Sequence, residues 1–90
     1  MTTKDLCWLG KAVNYLSEYS KIGEGKIKLL KYLISKKKNG MLQEPIRGIV
    51  KHSGVSNMTV TRTLQELSEG GLLDIADPQS REARIYKFVY

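Results

Sequence analysis

The stretch Ser56-Asn57-Met58-Thr59-Val60-Thr61-Arg62-Thr63-Leu64-Gln65 concentrates hydroxyls, amides and a guanidinium in ten residues. These groups can pair with the edges of nucleic-acid bases. Arg suits guanine, Asn and Gln suit adenine, and Met or a Thr methyl can touch the methyl of thymine. They work together only if one surface presents them. At about 100° per residue, Val60, Leu64 and Leu67 fall on one narrow apolar stripe. Met58, Thr61, Arg62 and Gln65 then point away from it, with Asn57 and Thr59 flanking near the start. The competing reading is a polar face that merely meets water. Thr and Asn are modest helix formers, so such a face would be expected to hold Lys and Glu instead.

The flanking residues supply the means of positioning. Ile49 and Val50 belong to a preceding helix opened by Pro45, which suits a first helical position. Gly54 can take the left-handed conformation that ends a helix sharply. Val55 can plug the corner between two helices, and Ser56 is a good N-cap for the second. Gly70-Gly71 ends that helix, and Leu72-Leu73-Asp74-Ile75 begins a strand. Asp77-Pro78 with the polar residues after it is a turn signature. The β-branched and aromatic run 83–90 returns as a second strand, making a hairpin that carries Arg81 and Arg84. Upstream, a helix over 26–38 has Ile27, Leu30, Leu33 and Ile34 on its inner face, with Lys36 to Lys38 in its last turn and Asn39-Gly40 ending it. Met41-Leu42 can add a short strand.

A further helix is predicted over 3–20. Leu6, Leu9, Val13 and Leu16 form one apolar stripe and Trp8, Ala12, Tyr15 and Tyr19 a second beside it. Together they cover more of the helix than one contact with a small core requires. Either both stripes are core, or the aromatic stripe packs against a second copy of the chain.

Ninety residues suffice for one small domain spanning 1–90, and a chain this short has little room for a deep catalytic cleft. Fifteen Lys and Arg against nine Asp and Glu give a net charge of +6, which favours polyanionic partners. The excess is uneven. Residues 1–40 hold nine lysines and three acidic residues, whereas residues 41–90 hold six of each sign. The lysines of helix 26–38 could follow the flanks of a DNA duplex, or serve as a solvated face. His52 and Cys7 are the only residues of their kinds. No metal site or nucleophile–base pair is expected from them, and Gly23-Glu24-Gly25-Lys26 lacks phosphate-loop spacing. The expectation is a protein without enzymatic activity, cofactor or small-molecule ligand. At the end of a helix, Lys51 and His52 suit contacts with DNA phosphates. A lone cysteine and the lack of a long apolar run point to a reducing cytoplasm, with no membrane segment.

The pattern from Ile49 through Ser56, with Thr59 to Leu64, Leu67 and Gly71-Leu72-Leu73, resembles the helix-turn-helix of winged-helix DNA-binding proteins. The resemblance implies a mostly α fold with a small β-hairpin (α+β), here with an extra N-terminal helix: 3–20, then a helical core over 26–75, then a wing over 72–90. It also implies a recognition helix built on Ser56, Asn57, Met58, Thr59, Thr61, Arg62 and Gln65. Asp77-Pro78-Gln79-Ser80-Arg81 looks like the wing tip of the MarR family, with Ser80 where that family prefers Asp. That likeness implies a minor-groove role for Arg81 and a phosphate or groove contact for Arg84. MarR-type dimers use a C-terminal helix that has no counterpart before Tyr90. A homodimer is therefore expected to use Trp8, Ala12, Tyr15 and Tyr19 of the N-terminal helix. The run from Gly25-Lys26-Ile27-Lys28-Leu29-Leu30 through the recognition helix is also similar to plasmid replication proteins of the RepL type.

The expected function is sequence-dependent binding of double-stranded DNA by a transcriptional regulator. Two rivals stand beside it: a replication or segregation factor on iterated DNA sites, and a protein-binding winged helix with no DNA role.

Overall fold

The computed structural model describes residues 2–18, 23–76 and 84–90. Along the chain run α1 (Thr3–Ser17), α2 (Glu24–Lys36), β1 (Met41–Gln43), α3 (Ile46–Ser53), α4 (Asn57–Glu69), β2 (Leu73–Ala76) and β3 (Ile85–Phe88). The strands form one antiparallel sheet in the order β1-β3-β2, with Leu42 opposite Tyr86 and Leu73 opposite Phe88. Side chains alternate across it. Leu42, Leu73, Tyr86 and Phe88 are buried beneath the helices, while Met41, Asp74 and Lys87 face outward. The sequence had suggested a two-stranded hairpin with β1 apart. Instead β3 is the central strand and ties β1 to β2.

Local sequence explains the corners. Ser56 caps α4, its Oγ accepting the Thr59 amide at 3.3 Å, and Gly54 ends α3 at φ 73°. Val55 is buried between the two helices. Pro45 stands one position earlier than expected. Its ψ of 150° keeps it outside α3 as the N-cap, and Ile46 is the first helical residue. Helix α2 both starts and stops two residues before the expected bounds. Lys37 leaves the helix with ψ 148°, and Lys38 pairs with Met41 across a turn whose residues Asn39 and Gly40 have φ 53° and 72°. Only Lys36 lies in the last turn of α2.

The core joins Leu29, Leu30, Leu33 and Ile34 of α2 with Ile49, Val60, Leu64, Leu67 and the inner face of the sheet. The N-terminal helix contributes Trp8, Ala12 and Leu16 to the same cluster. Trp8 is 1% exposed; its Nε1 donates to the Leu72 carbonyl at 2.9 Å, and its ring centroid lies 4.6 Å from that of Phe88. This corrects the aromatic-stripe dimer. Trp8 and Ala12 are sealed inside the protomer. Tyr15 lies so close to Gly70, at the end of α4, that a Cβ there would sit 2.7 Å from its ring atoms. Tyr19 lies outside the described residues. The physical reason is size: an indole filling the gap between α1 and the sheet buries far more area than Leu6, which is left 56% exposed.

A polar staple holds the ends of the chain. Thr2 and Asp5 form a capping box on α1. Asp5 also accepts from Lys37 Nζ at 2.8 Å and from the Tyr90 hydroxyl at 3.1 Å. The Lys37 ammonium, despite opposition from burial, is the main cause of an Asp5 carboxyl pKa lowered to about 2. Among the described residues no helix is long and apolar enough to cross a membrane, and no cluster of His, Cys, Asp and Glu could hold a metal ion.

Candidate nucleic-acid interface

Helix α4 divides along its length as its spacing predicts. Val60, Leu64 and Leu67 are buried, and Thr63 joins them. Asn57, Met58, Thr61, Arg62 and Gln65 are exposed on the opposite side, with Met58 71% exposed, and Thr59 is half-buried. Four of the predicted contact residues already bond to one another. The Ser56 hydroxyl donates to Thr59 Oγ1 at 2.9 Å while accepting the Thr59 amide, and Thr61 Oγ1 donates to Asn57 Oδ1 at 3.3 Å. These bonds tie the first turns together, while Arg62, Gln65 and Met58 remain exposed beside them.

Arg84, just before β3, is exposed, and with Gln65 it borders a cleft of about 300 Å³ between α4 and the sheet. Ile46, Leu64, Ile75 and Tyr86 supply apolar wall to that cleft. The reading face of α4 and the base of the hairpin are therefore contiguous. Arg81 and the whole tip resembling the MarR wing, 77–83, lie outside the described residues.

Two lysines of α2, Lys26 and Lys28, remote from this face in sequence, come to it in space. Lys26 Nζ pairs with Glu66 Oε2 at 3.4 Å, offsetting an acidic group on α4. Lys28 reaches the helix-turn-helix corner, where a Cβ on Gly54 would lie 3.2 Å from its Nζ. A Cβ on Gly25 would lie 3.9 Å from Thr59 Cγ2, which brings the start of α2 against the start of α4.

Lys51 and His52 are both exposed in the last turn of α3. His52 Nδ1 lies 3.0 Å from Glu44 Oε1. The Tyr32 hydroxyl donates to both oxygens of that carboxylate, at 3.0 and 2.7 Å. Burial, reinforced by the carboxylate, pushes the Tyr32 phenol up to about 12, so it remains a donor. Gly48 makes the room: a Cβ there would sit 2.9 Å from Glu44 Oε1. Sequence reasoning had not linked Tyr32 and Glu44 to the site, and had placed Lys28 only among the lysines that could follow the flanks of a duplex. The i, i+4, i+8 spacing of Glu44, Gly48 and His52, an acid just ahead of α3 and a base in its last turn with a glycine between, was the signal available for two of the cluster's members.

An extended corner between α3 and α4, an exposed polar face on the second helix and a hairpin at its end define a winged helix-turn-helix protein. The family model described as Firmicute plasmid replication protein (RepL) matches residues 6–78. The chain belongs to that family. A solution structure of similar fold is the homodimeric winged helix-turn-helix DNA-binding domain, fragment 1–100, of a Mycobacterium bovis protein described as a possible ArsR-family transcriptional regulator. The two superpose with a TM-score of 0.53 at 18% identity, covering 94% of this chain and 64% of that one. Among curated proteins none matches the chain.

Proposed function

We propose that this chain binds double-stranded DNA in a sequence-dependent way and acts in plasmid replication, at iterated sites in the plasmid. The observation that carries the reading is the exposed face of α4. Met58, Arg62 and Gln65 stand outward on a helix whose other side is core. Membership of the RepL family supports the replication role over the regulatory one. Arg62 and Gln65 are assigned to base edges; Lys51, His52 and the α2 lysines to phosphates; and Arg81 and Arg84 to the wing contact. Work on plasmid DNA fits a cytoplasmic location.

The bound form is a homodimer joined through α1. The face that supports this reading is not the aromatic stripe but the sector holding Leu6, Leu9, Gly10, Val13 and Ser17. That sector contains no charge; Lys4, Lys11 and Glu18 all fall on the other exposed side of the helix. The mycobacterial neighbour is a homodimer of the same fold, which accords with this. Its description as a possible regulator supports a second reading, a transcriptional repressor.

Selection of bound fragments from random duplex DNA tests the proposal. Direct repeats are expected for a replication factor and inverted repeats for a repressor dimer. Failure to enrich any sequence would overturn sequence-dependent binding.

A further inference from the structure

The cluster around Glu44 is unused by the fold's apolar core and lies beside the reading face. On α2, Gly25, Lys28 and Tyr32 share one stripe at 3-4 spacing. Each meets a different part of the helix-turn-helix: Gly25 meets Thr59, Lys28 meets Gly54, and Tyr32 meets Glu44 with His52 behind it. From Gly25 to Tyr32 the stripe advances about 10 Å. The major groove is about 12 Å wide. Lys28, about 4.5 Å along the stripe, lies well within a groove's width of the first turn of α4, and His52 lies across Glu44 from the stripe's far end at Tyr32.

His52 is built for such a contact. Its Nδ1 is taken by Glu44, and Glu44 is held in turn by Tyr32 over the space left by Gly48. Nε2 is left as the outward nitrogen of a side chain 58% exposed. A neutral ring that donates Nδ1–H to Glu44 can only accept at Nε2, and a phosphate oxygen offers no proton there. The imidazolium donates from both nitrogens, to the carboxylate on one side and to a phosphate on the other. The charged and titratable groups around it are Glu44 from the β1–α3 link, Tyr32 and Lys28 from α2, and Lys51 on α3 itself.

We infer that Lys28 and His52 form a phosphate clamp beside the recognition helix, and that Glu44 with Tyr32 holds the His52 ring so that duplex binding takes up a proton there. The inference rests on the DNA-binding reading above and adds a regulation by pH to it. His52 is the only histidine in the chain, the one side-chain type whose charge ordinarily switches near neutral pH.

The test is duplex affinity by fluorescence anisotropy between about pH 5.5 and pH 8 at fixed salt, for the wild type, His52→Gln and Glu44→Gln. Calorimetry in two buffers of different ionisation enthalpy counts the protons. Wild-type affinity should strengthen as pH falls, by up to about tenfold per pH unit, with net proton uptake. His52→Gln should be flat with pH and take up none. Glu44→Gln, whose amide can also donate to Nδ1 and so lets a neutral ring present Nε2–H to a phosphate, should weaken the pH dependence. A pH-insensitive wild type, or a His52→Gln or Glu44→Gln variant with the wild-type profile, would overturn the inference while leaving DNA binding intact. Absence of any duplex binding at low salt would overturn the DNA-binding reading itself.

Discussion

Helices α1 and α4 are both amphipathic, and both bury one stripe in the same core, yet their outward faces differ in chemistry. On α4 the exposed residues are hydrogen-bonding side chains on a firmly packed helix. On α1 the exposed arc splits into a charged side and a charge-free side carrying Leu6 and Gly10. Gly10 has open space around it, so nothing in the protomer requires a glycine in mid-helix, where it costs roughly 1 kcal/mol relative to Ala. An exposed polar face whose hydrogen bonds are only local suits a polar, wet ligand such as DNA. An apolar, charge-free face suits a second protein surface. Exposure says that a face has an outside role, and the residue types then say with what.

The contrast can be broken most forcefully at the buried side of α1. Trp8→Ala should lower unfolding stability by about 3–5 kcal/mol, as truncation of a buried aromatic does, measured by urea denaturation. A change seen only in self-association would return Trp8 to the interface. On the outward side, Leu6→Lys should leave stability within about 0.5 kcal/mol. It should weaken self-association by about tenfold or more, since burying a Leu contributes roughly 1.5–3 kcal/mol. Sedimentation equilibrium reads this. An unchanged dimer would remove the charge-free sector from the account.

A smaller effect concerns the staple that anchors both ends of the chain. The Asp5 carboxyl is depressed to about 2 in the fold from the ordinary 3.8, mainly by Lys37. Its folded pKa is the lower one, so its contribution to stability is complete above about pH 4 and is lost as pH falls through about 2. Thermal melts across that range should show a wild-type decline that is shallower in Asp5→Asn. Identical acid limbs would mean that the Lys37 contact adds no pH-dependent stability.

Much of the reading head was legible because it depends on local rules. Gly54, Val55 and Ser56 specify the corner through backbone freedom, a small plug and a cap, and the Val60-Leu64-Leu67 stripe orients α4. The two stripes of α1 were visible, but which of them faces inward depends on the gap left by a sheet assembled from distant segments. Thr63 is fully buried, with a hydroxyl that has no hydrogen-bond partner among the described residues, and nothing in its residue type announces that. The central position of β3 was hidden too, since cross-strand pairing joins residues more than forty apart. Lys28 was assigned only to a diffuse basic helix because its approach to Gly54 is a tertiary fact.

The central claim is that the outward face of α4 reads DNA, and Arg62 tests it most directly. Anisotropy titrations of the wild type and Arg62→Ala should be run against a selected duplex and a scrambled one at the same salt. The variant should lose about 1–3 kcal/mol of affinity for the selected duplex, bind the scrambled one almost as before, and melt at the wild-type temperature. Equal affinity of both proteins for the selected duplex would contradict the claim.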